Sequence, residues 1–291
     1  MQSRKIGVTV NLFDGGENLL PVLQTLYKSG KIGHVNIVYS TFDNRKKTEN
    51  LAVEGLCKEL YSNGTVDSIY KYDPDPSIHA VKNELIKRNI GMDILRSHGH
   101  RVAMCIDADE LYLPHLFQDW LIDALAERKL LQSFLFIRSY YGNINAYYHE
   151  QLSFLVPFLV SLDSGCYSMS NTIEMEVLAG KPLLDATRRY HKVSENNSIV
   201  IPNFMHHLTY VRESLRPKLS HSSAVCSSKP DEIEEVCKYF SDWKESSKGL
   251  IFRHGSTLTE VELKETTLLS NFFRREHIQM PKHFTRGVKT S

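Results

Sequence analysis

Over its first 106 residues the chain alternates four short, β-rich apolar runs with three longer stretches of helical periodicity, and few folds can absorb that pattern. Ile6 to Asn11 reads as a strand. Asn18 to Ser29 reads as a helix with Leu19, Leu20, Val22, Leu23 and Leu26 on its buried side. Val35 to Tyr39 is a second strand, followed by a helix from Lys46 to Asn63 that Asn63-Gly64 ends. Val66 to Tyr70 is a third strand. Ser77, after Pro76, is placed to cap a helix reaching about Ser97, and Arg101 to Ile106 is a fourth strand. This order predicts an α/β fold: a mostly parallel central sheet with helices on both faces. In the fourth strand Val102, Met104 and Ile106 alternate with Ala103 and Cys105. Both sets are apolar, as a strand buried on two faces requires.

Beyond residue 130 the pattern is less regular. Ser133 to Arg138 reads as a strand, 140–150 as an aromatic and polar loop, and 165–210 as room for a few more strands. The most apolar run, Leu152 to Leu162, is too short for a bilayer span and contains Pro157, so it reads as core. From Asp231 the chain turns helical, with Asp231 and Glu232 in a first turn where acids suit the helix dipole. The expected division is a main domain over 1–225 and a helical C-terminal appendix over 226–291. The appendix ends in a basic tail of Arg274, Arg275, Lys282, Arg286 and Lys289 against one acid, Glu276.

Composition narrows the function classes. With 42% hydrophobic residues among 291, the chain can bury an ordinary core, and a formal charge of +1 offers no electrostatic footprint for nucleic acid. Five cysteines, with no CxxC pair, argue against a disulfide scaffold or structural zinc and for a reducing compartment. No apolar signal segment precedes the first strand, so the expected location is cytoplasmic. The basic tail is compatible with peripheral contact with an anionic membrane.

The most informative segment is Asp107-Ala108-Asp109-Glu110, three acids in four residues at the end of a buried strand. In open parallel sheets ligands bind beyond the carboxyl ends of the strands. If the chain stays extended there, Asp107 and Asp109 project to the same side. Two such charges need neutralising, and Mn²⁺ or Mg²⁺ does this, commonly through one or two carboxylates plus substrate phosphates. The same residues also fit a solvated acidic turn in which Asp109 caps the next helix.

Cys105-Ile-Asp-Ala-Asp-Glu110 resembles the D-x-D segment of GT-A glycosyltransferases, in particular family 2-like enzymes of bacterial and viral type. Asn11 and Glu17 stand where that family ends its first strand and opens its first helix. Ser40-Thr-Phe-Asp-Asn44 matches its Ser/Asp-rich loop, and Lys87-Arg-Asn-Ile-Gly91 its Arg-Asn-x-Gly helix. Leu184 to Arg189 and Met205 to Arg212 resemble downstream segments, so the likeness covers about residues 5 to 225.

The resemblance implies a metal-dependent transfer of a sugar, with inversion, from a nucleotide-sugar such as a UDP-sugar to a hydroxyl of a glycan or glycolipid acceptor. Val10 and Asn11 would lie against the base, and Asp43 would accept from base or ribose. Arg88 would orient the carboxylates or approach the donor. Asp107 would act on the ribose or through the metal's water. Arg188 or Arg189 would meet the leaving diphosphate. Asp109 would ligate the metal, with Asp107 beside it. His207, matched to the family's His-x-Ser/Thr-aromatic segment, would complete the site, whereas His206 would point away. A base beyond the D-x-D strand is expected among Asp163, Glu174, Glu176 and Asp185, with Asp185 preferred and Asp163 next. The competing expectations are a sugar nucleotidyltransferase or a non-catalytic sugar-binding domain of the same fold.

Overall fold

The protein is described from a computed structural model at residues 5–148, 154–162, 183–184, 188, 195–221, 230–243, 248–253 and 257–286. The first half follows the expected alternation: β1 (Ile6–Leu12), α1 (Gly16–Tyr27), β2 (Ile32–Tyr39), α2 (Ala52–Ser62), β3 (Ser68–Lys71), α3 (Ala80–Ser97) and β4 (Val102–Asp107). β4, β1, β2 and β3 lie side by side and all three pairings are parallel.

Both faces of this sheet are covered, and the alternation in β4 decides which residues face which helices. Val102, Met104 and Ile106 share the main core with Leu19, Val22, Leu23 and Leu26 of α1 and Leu121, Ile122 and Leu125 of α4 (Asp119–Ala126). Ala103 and Cys105 face the other way, onto Met92 and Leu95 of α3. α3 approaches β1 so closely at Gly91 that a Cβ there would lie 1.9 Å from Thr9 Oγ1. Thr9 donates to Asn36, and Asn36 donates to the Gly91 carbonyl, so the contact is tied from three elements.

Two helix starts differ from the sequence expectation, each because a side chain closes a turn first. Asp43 Oδ1 accepts from the amides of Arg45 and Lys47, and Lys46 takes a left-handed φ of 55°, so α2 begins only at Ala52. The amide and hydroxyl of Ser77 are spent on Asp75, and the cap of α3 is His79, whose ring accepts from the Val81 amide.

The second half extends the sheet with mixed pairings: β5 (Glu110–Leu111), β6 (Gln132–Tyr141), β7 (Ala146–Tyr148), β8 (Phe154–Ser161), β9 (Leu183–Leu184) and β10 (Ser198–Tyr210). β8 runs antiparallel to β4 and β6, and its apolar residues are core, as expected. Within the expected loop over 140–150, the described residues 140–148 instead form a hairpin. Gly142, at φ 72°, turns the chain, and Asn143 accepts from the Asn145 and Ala146 amides, bringing β7 back along β6. Tyr140 and Tyr141 are therefore buried strand residues.

The C-terminal segment carries the expected helices α6 (Pro230–Asp242) and α7 (Leu268–Arg275), preceded by the short α5 (Arg216–His221). It also contains a hairpin, β11 (Lys248–Arg253) and β12 (Thr257–Glu265), whose second strand pairs with β7 and so continues the main sheet. Among the described residues no helix is long and apolar enough to cross a membrane.

Candidate functional site

The parallel register of β1 and β4 sets Asn11 beside Asp107, at the carboxyl ends of adjacent strands. Asn11 Nδ2 donates to Asp107 Oδ1 at 3.3 Å. The chain then turns through Ala108 and Asp109 into β5, which pairs antiparallel with β10 so that Glu110 stands opposite His207. This path sends the three acids in different directions, each to its own cation. Arg88 Nη2 lies 2.9 Å from Asp107 Oδ1 and 3.1 Å from Oδ2, and also 2.7 Å from Glu84 one helical turn earlier. Arg212 donates to Asp109 Oδ2 at 2.6 Å, and Lys218 reaches the same oxygen at 3.4 Å. Arg188 grips Glu110 with both terminal nitrogens at 2.6 Å.

These pairings neutralise the acid cluster from within the chain, where the sequence alone points to a metal ion. Asp107 and Asp109 both sit where burial penalises charge. For Asp107 burial works to raise the pKa, but Arg88 and then Arg188 outweigh it and hold the carboxyl below its usual range. For Asp109 burial is likewise outweighed, by Lys218, Arg212 and His207 in that order. Glu110 serves as a brace: Oε2 accepts from the Tyr112 hydroxyl and from the Asp107 amide, both at 3.1 Å. Arg188, expected at a phosphate, is buried against this brace and also donates to the Cys105 carbonyl.

Strand alternation separates the two histidines of β10. His207 is a quarter exposed on the Asp109 side, with Nε2 3.7 Å from Asp109 Oδ1. His206 is buried, its Nδ1 2.9 Å from the Tyr140 hydroxyl. Burial, followed by Arg138 and His115, pushes the His206 imidazole down to about 3. The Asp109–His207 gap is one that a single ion bonded to both at about 2.1 Å would bridge. Among the described residues no group of three His, Cys, Asp or Glu side chains converges for a metal. The residues thus fit an ion held by a two-ligand edge and completed by ligand phosphates, which is how Mg²⁺ and Mn²⁺ commonly bind.

The residues expected near the nucleoside divide. The Val10 side chain packs wholly into the core, leaving Asn11 at the strand end. Asn11 Oδ1, Asp43 Oδ2 and Asn44 Oδ1 are buried acceptors with no hydrogen-bond partner among the described residues; Arg45 Nε lies 4.0 Å from Asp43 Oδ2. Asp163, Asp185 and Arg189 lie outside the described residues, as do Glu174 and Glu176.

The sequence alone assigns no role to Arg212, Lys218 or Lys87. Arg212 ends the Met205 to Arg212 segment between Val211 and Glu213, where no local pattern marks it. It is buried, donates to the Thr209 carbonyl, and lies 3.7 Å from Asp14 and 3.6 Å from Glu17 as well as on Asp109. Lys218, on α5, shows no local pattern. Lys87 is buried beneath the end of β1, where burial lowers its ammonium to about 8. Part of the basic tail is used internally: Arg286 donates to the Arg212 and Glu213 carbonyls, and His283 Nε2 lies 2.8 Å from Asn18 Oδ1.

No protein-family model matches the sequence, and no curated protein does. Solved structures with some likeness include a 4-diphosphocytidyl-2C-methyl-D-erythritol synthase. It is 12% identical over 54% of this chain and 75% of that one, with a TM-score of 0.29. Another is a mycobacterial protein, 11% identical over 88% of this chain and 83% of that one, with a TM-score of 0.42. Likeness at that level carries no functional weight, and function rests on the site itself.

Proposed function

We propose that this protein is a nucleotide-sugar-dependent transferase, and within that class a metal-dependent glycosyltransferase. It would move a sugar from a nucleotide-sugar such as a UDP-sugar to a hydroxyl of a glycan or glycolipid, with inversion. The observation that carries this reading is the meeting of Asp109 and His207 at the carboxyl ends of parallel strands, beside buried acceptors that none of the described residues satisfies. Unmet buried acceptors are costly, and a ligand rich in hydroxyl and N–H donors, such as a nucleoside, relieves them.

Mn²⁺ or Mg²⁺, held by Asp109 and His207 with Asp107 beside them, would offset charge on a departing diphosphate. Asn11 and Asp43 would accept hydrogen bonds from the ribose or base. Arg88 keeps Asp107 ionised and oriented. The acceptor hydroxyl needs a base, for which Asp185 and Asp163 remain the candidates. Charge supports the assignment. Around the strand ends, Asp14, Glu17, Glu84, Asp107, Asp109 and Glu110 face Lys87, Arg88, Arg188, Arg212 and Lys218, one cation fewer than the acids. A divalent ion reverses that sign and makes the site receptive to a diphosphate.

A second reading, a sugar nucleotidyltransferase, draws on the same geometry, because Arg212 and Lys218 beside Asp109 would also suit a triphosphate. Against it, the turn after β1 carries Asp14 and Glu17, acids where a triphosphate loop needs cations. The products separate the two. With Mn²⁺ and a panel of nucleotide-sugars, slow release of nucleoside diphosphate that Asp109→Ala abolishes supports the glycosyltransferase. Release of pyrophosphate from a nucleoside triphosphate and a sugar 1-phosphate supports the nucleotidyltransferase. Binding without turnover in either assay leaves a sugar-binding domain.

A further inference from the structure

Asp109 carries more positive charge than one carboxylate needs. Its Oδ2 holds Arg212 at 2.6 Å and Lys218 at 3.4 Å. The two cations are not equivalent. Arg212 is 2% exposed and fixed by the Thr209 carbonyl and by Asp14 and Glu17. Lys218 is 27% exposed, and among the described residues Asp109 is its one ion-pair partner.

The backbone that carries Lys218 is anchored on both sides. Leu215, just before α5, and Leu219, on it, pack into a cluster with Val236, Phe240 and Trp243. Arg45, two residues from Asp43, donates to the Ser220 carbonyl. α5 therefore bridges the loop expected to hold the nucleoside and the carboxylate expected to hold the metal. A diphosphate joining nucleoside to sugar would lie along that bridge. Only the flexible four-carbon stem of Lys218 has to move for its ammonium to follow.

On the metal-dependent reading above, we infer that Lys218 is an exchangeable counter-ion: it neutralises Asp109 in the absence of the metal and turns to the donor's diphosphate when the metal binds. A divalent ion on Asp109 would repel the ammonium, and the phosphate oxygens arriving with the donor give it new acceptors. Charge on Asp109 is thus balanced in both states, and Lys218 becomes a binding residue for the diphosphate.

The test compares wild-type protein, Lys218→Met, Lys218→Gln, Lys218→Arg and Asp109→Asn, with thermal unfolding confirming each fold. Mn²⁺ alone is titrated by calorimetry and by the electron-spin signal of the free ion. Inorganic pyrophosphate is then titrated at saturating Mn²⁺. Lys218→Met and Lys218→Gln should bind Mn²⁺ about tenfold more tightly than wild type, because a competing charge is gone, and pyrophosphate about tenfold more weakly. Lys218→Arg should stay near wild type in both. Mn²⁺ affinity unchanged or reduced in both neutral variants, or unchanged pyrophosphate affinity, overturns the exchange. If Asp109→Asn binds Mn²⁺ as well as wild type does, the metal-dependent reading falls with it. An Asp109-dependent Mn²⁺ site that ignores Lys218 overturns the exchange alone.

Discussion

Replacing Arg188 with Met should be among the most damaging single changes in this protein. Glu110 is 1% exposed, and Arg188 supplies two of its hydrogen bonds, both 2.6 Å long. Without the guanidinium the carboxylate keeps, among the described residues, the Tyr112 hydroxyl and the Asp107 amide. Removing one partner of a buried ion pair typically costs about 3–5 kcal/mol, because the remaining charge is left uncompensated. At roughly 2–4 °C per kcal/mol for a chain of this size, the melting temperature should fall by about 6–20 °C. Glu110→Leu should cost a similar amount by removing the buried carboxylate that Arg188 grips. The double variant, Arg188→Met with Glu110→Leu, exchanges the pair for apolar groups and should be less damaging than either single change. Urea unfolding of the four proteins, analysed by linear extrapolation, gives the cycle directly. Single costs below about 1 kcal/mol, or a double variant equal to the sum of the singles, would refute the bracing role of Glu110.

Three further outcomes are expected. His207→Ala should weaken Mn²⁺ binding severalfold, whereas His206→Ala should act mainly on stability; equal metal titrations for the two would show that β10 presents the wrong histidine. Gly91→Ala should destabilise by about 1–3 kcal/mol despite alanine's better helix propensity, since its Cβ would meet Thr9; a raised melting temperature would contradict the close α3–β1 approach. Acid should destabilise the fold through His206 and His283, which burial depresses to about 3 and about 4. Both fall below the unfolded value near 6.5, so their stabilisation is complete above that pH and is lost as pH falls towards the folded values. Between pH 7 and 5 the loss should reach at most about 2 kcal/mol per histidine, and an unchanged urea midpoint would count against their burial.

The order of the first seven elements was legible from periodicity alone, because a strand buried on both faces and an amphipathic helix leave different spacings in the chain. The two faces of β4 and the position of Asp107 at its end followed from the same alternation. So did the opposite directions of His206 and His207, because side chains alternate along any strand. Turns were less legible. Asp43 and Asp75 spend their carboxylates on local amides, and that competition decides helix starts that hydrophobic spacing cannot see. Of what neutralises the acid cluster, Arg88 alone was expected beside the carboxylates, through the family resemblance, and the other partners were not legible. Arg88, Arg188, Arg212 and Lys218 reach their carboxylates from 19, 78, 103 and 109 residues away. An ion pair leaves no periodic trace in sequence. Which cation meets which acid is set by strand order, by the antiparallel return of β10 along β5, and by the packing of α5 on α6. Those are properties of the folded chain, where low local dielectric turns distant charges into partners.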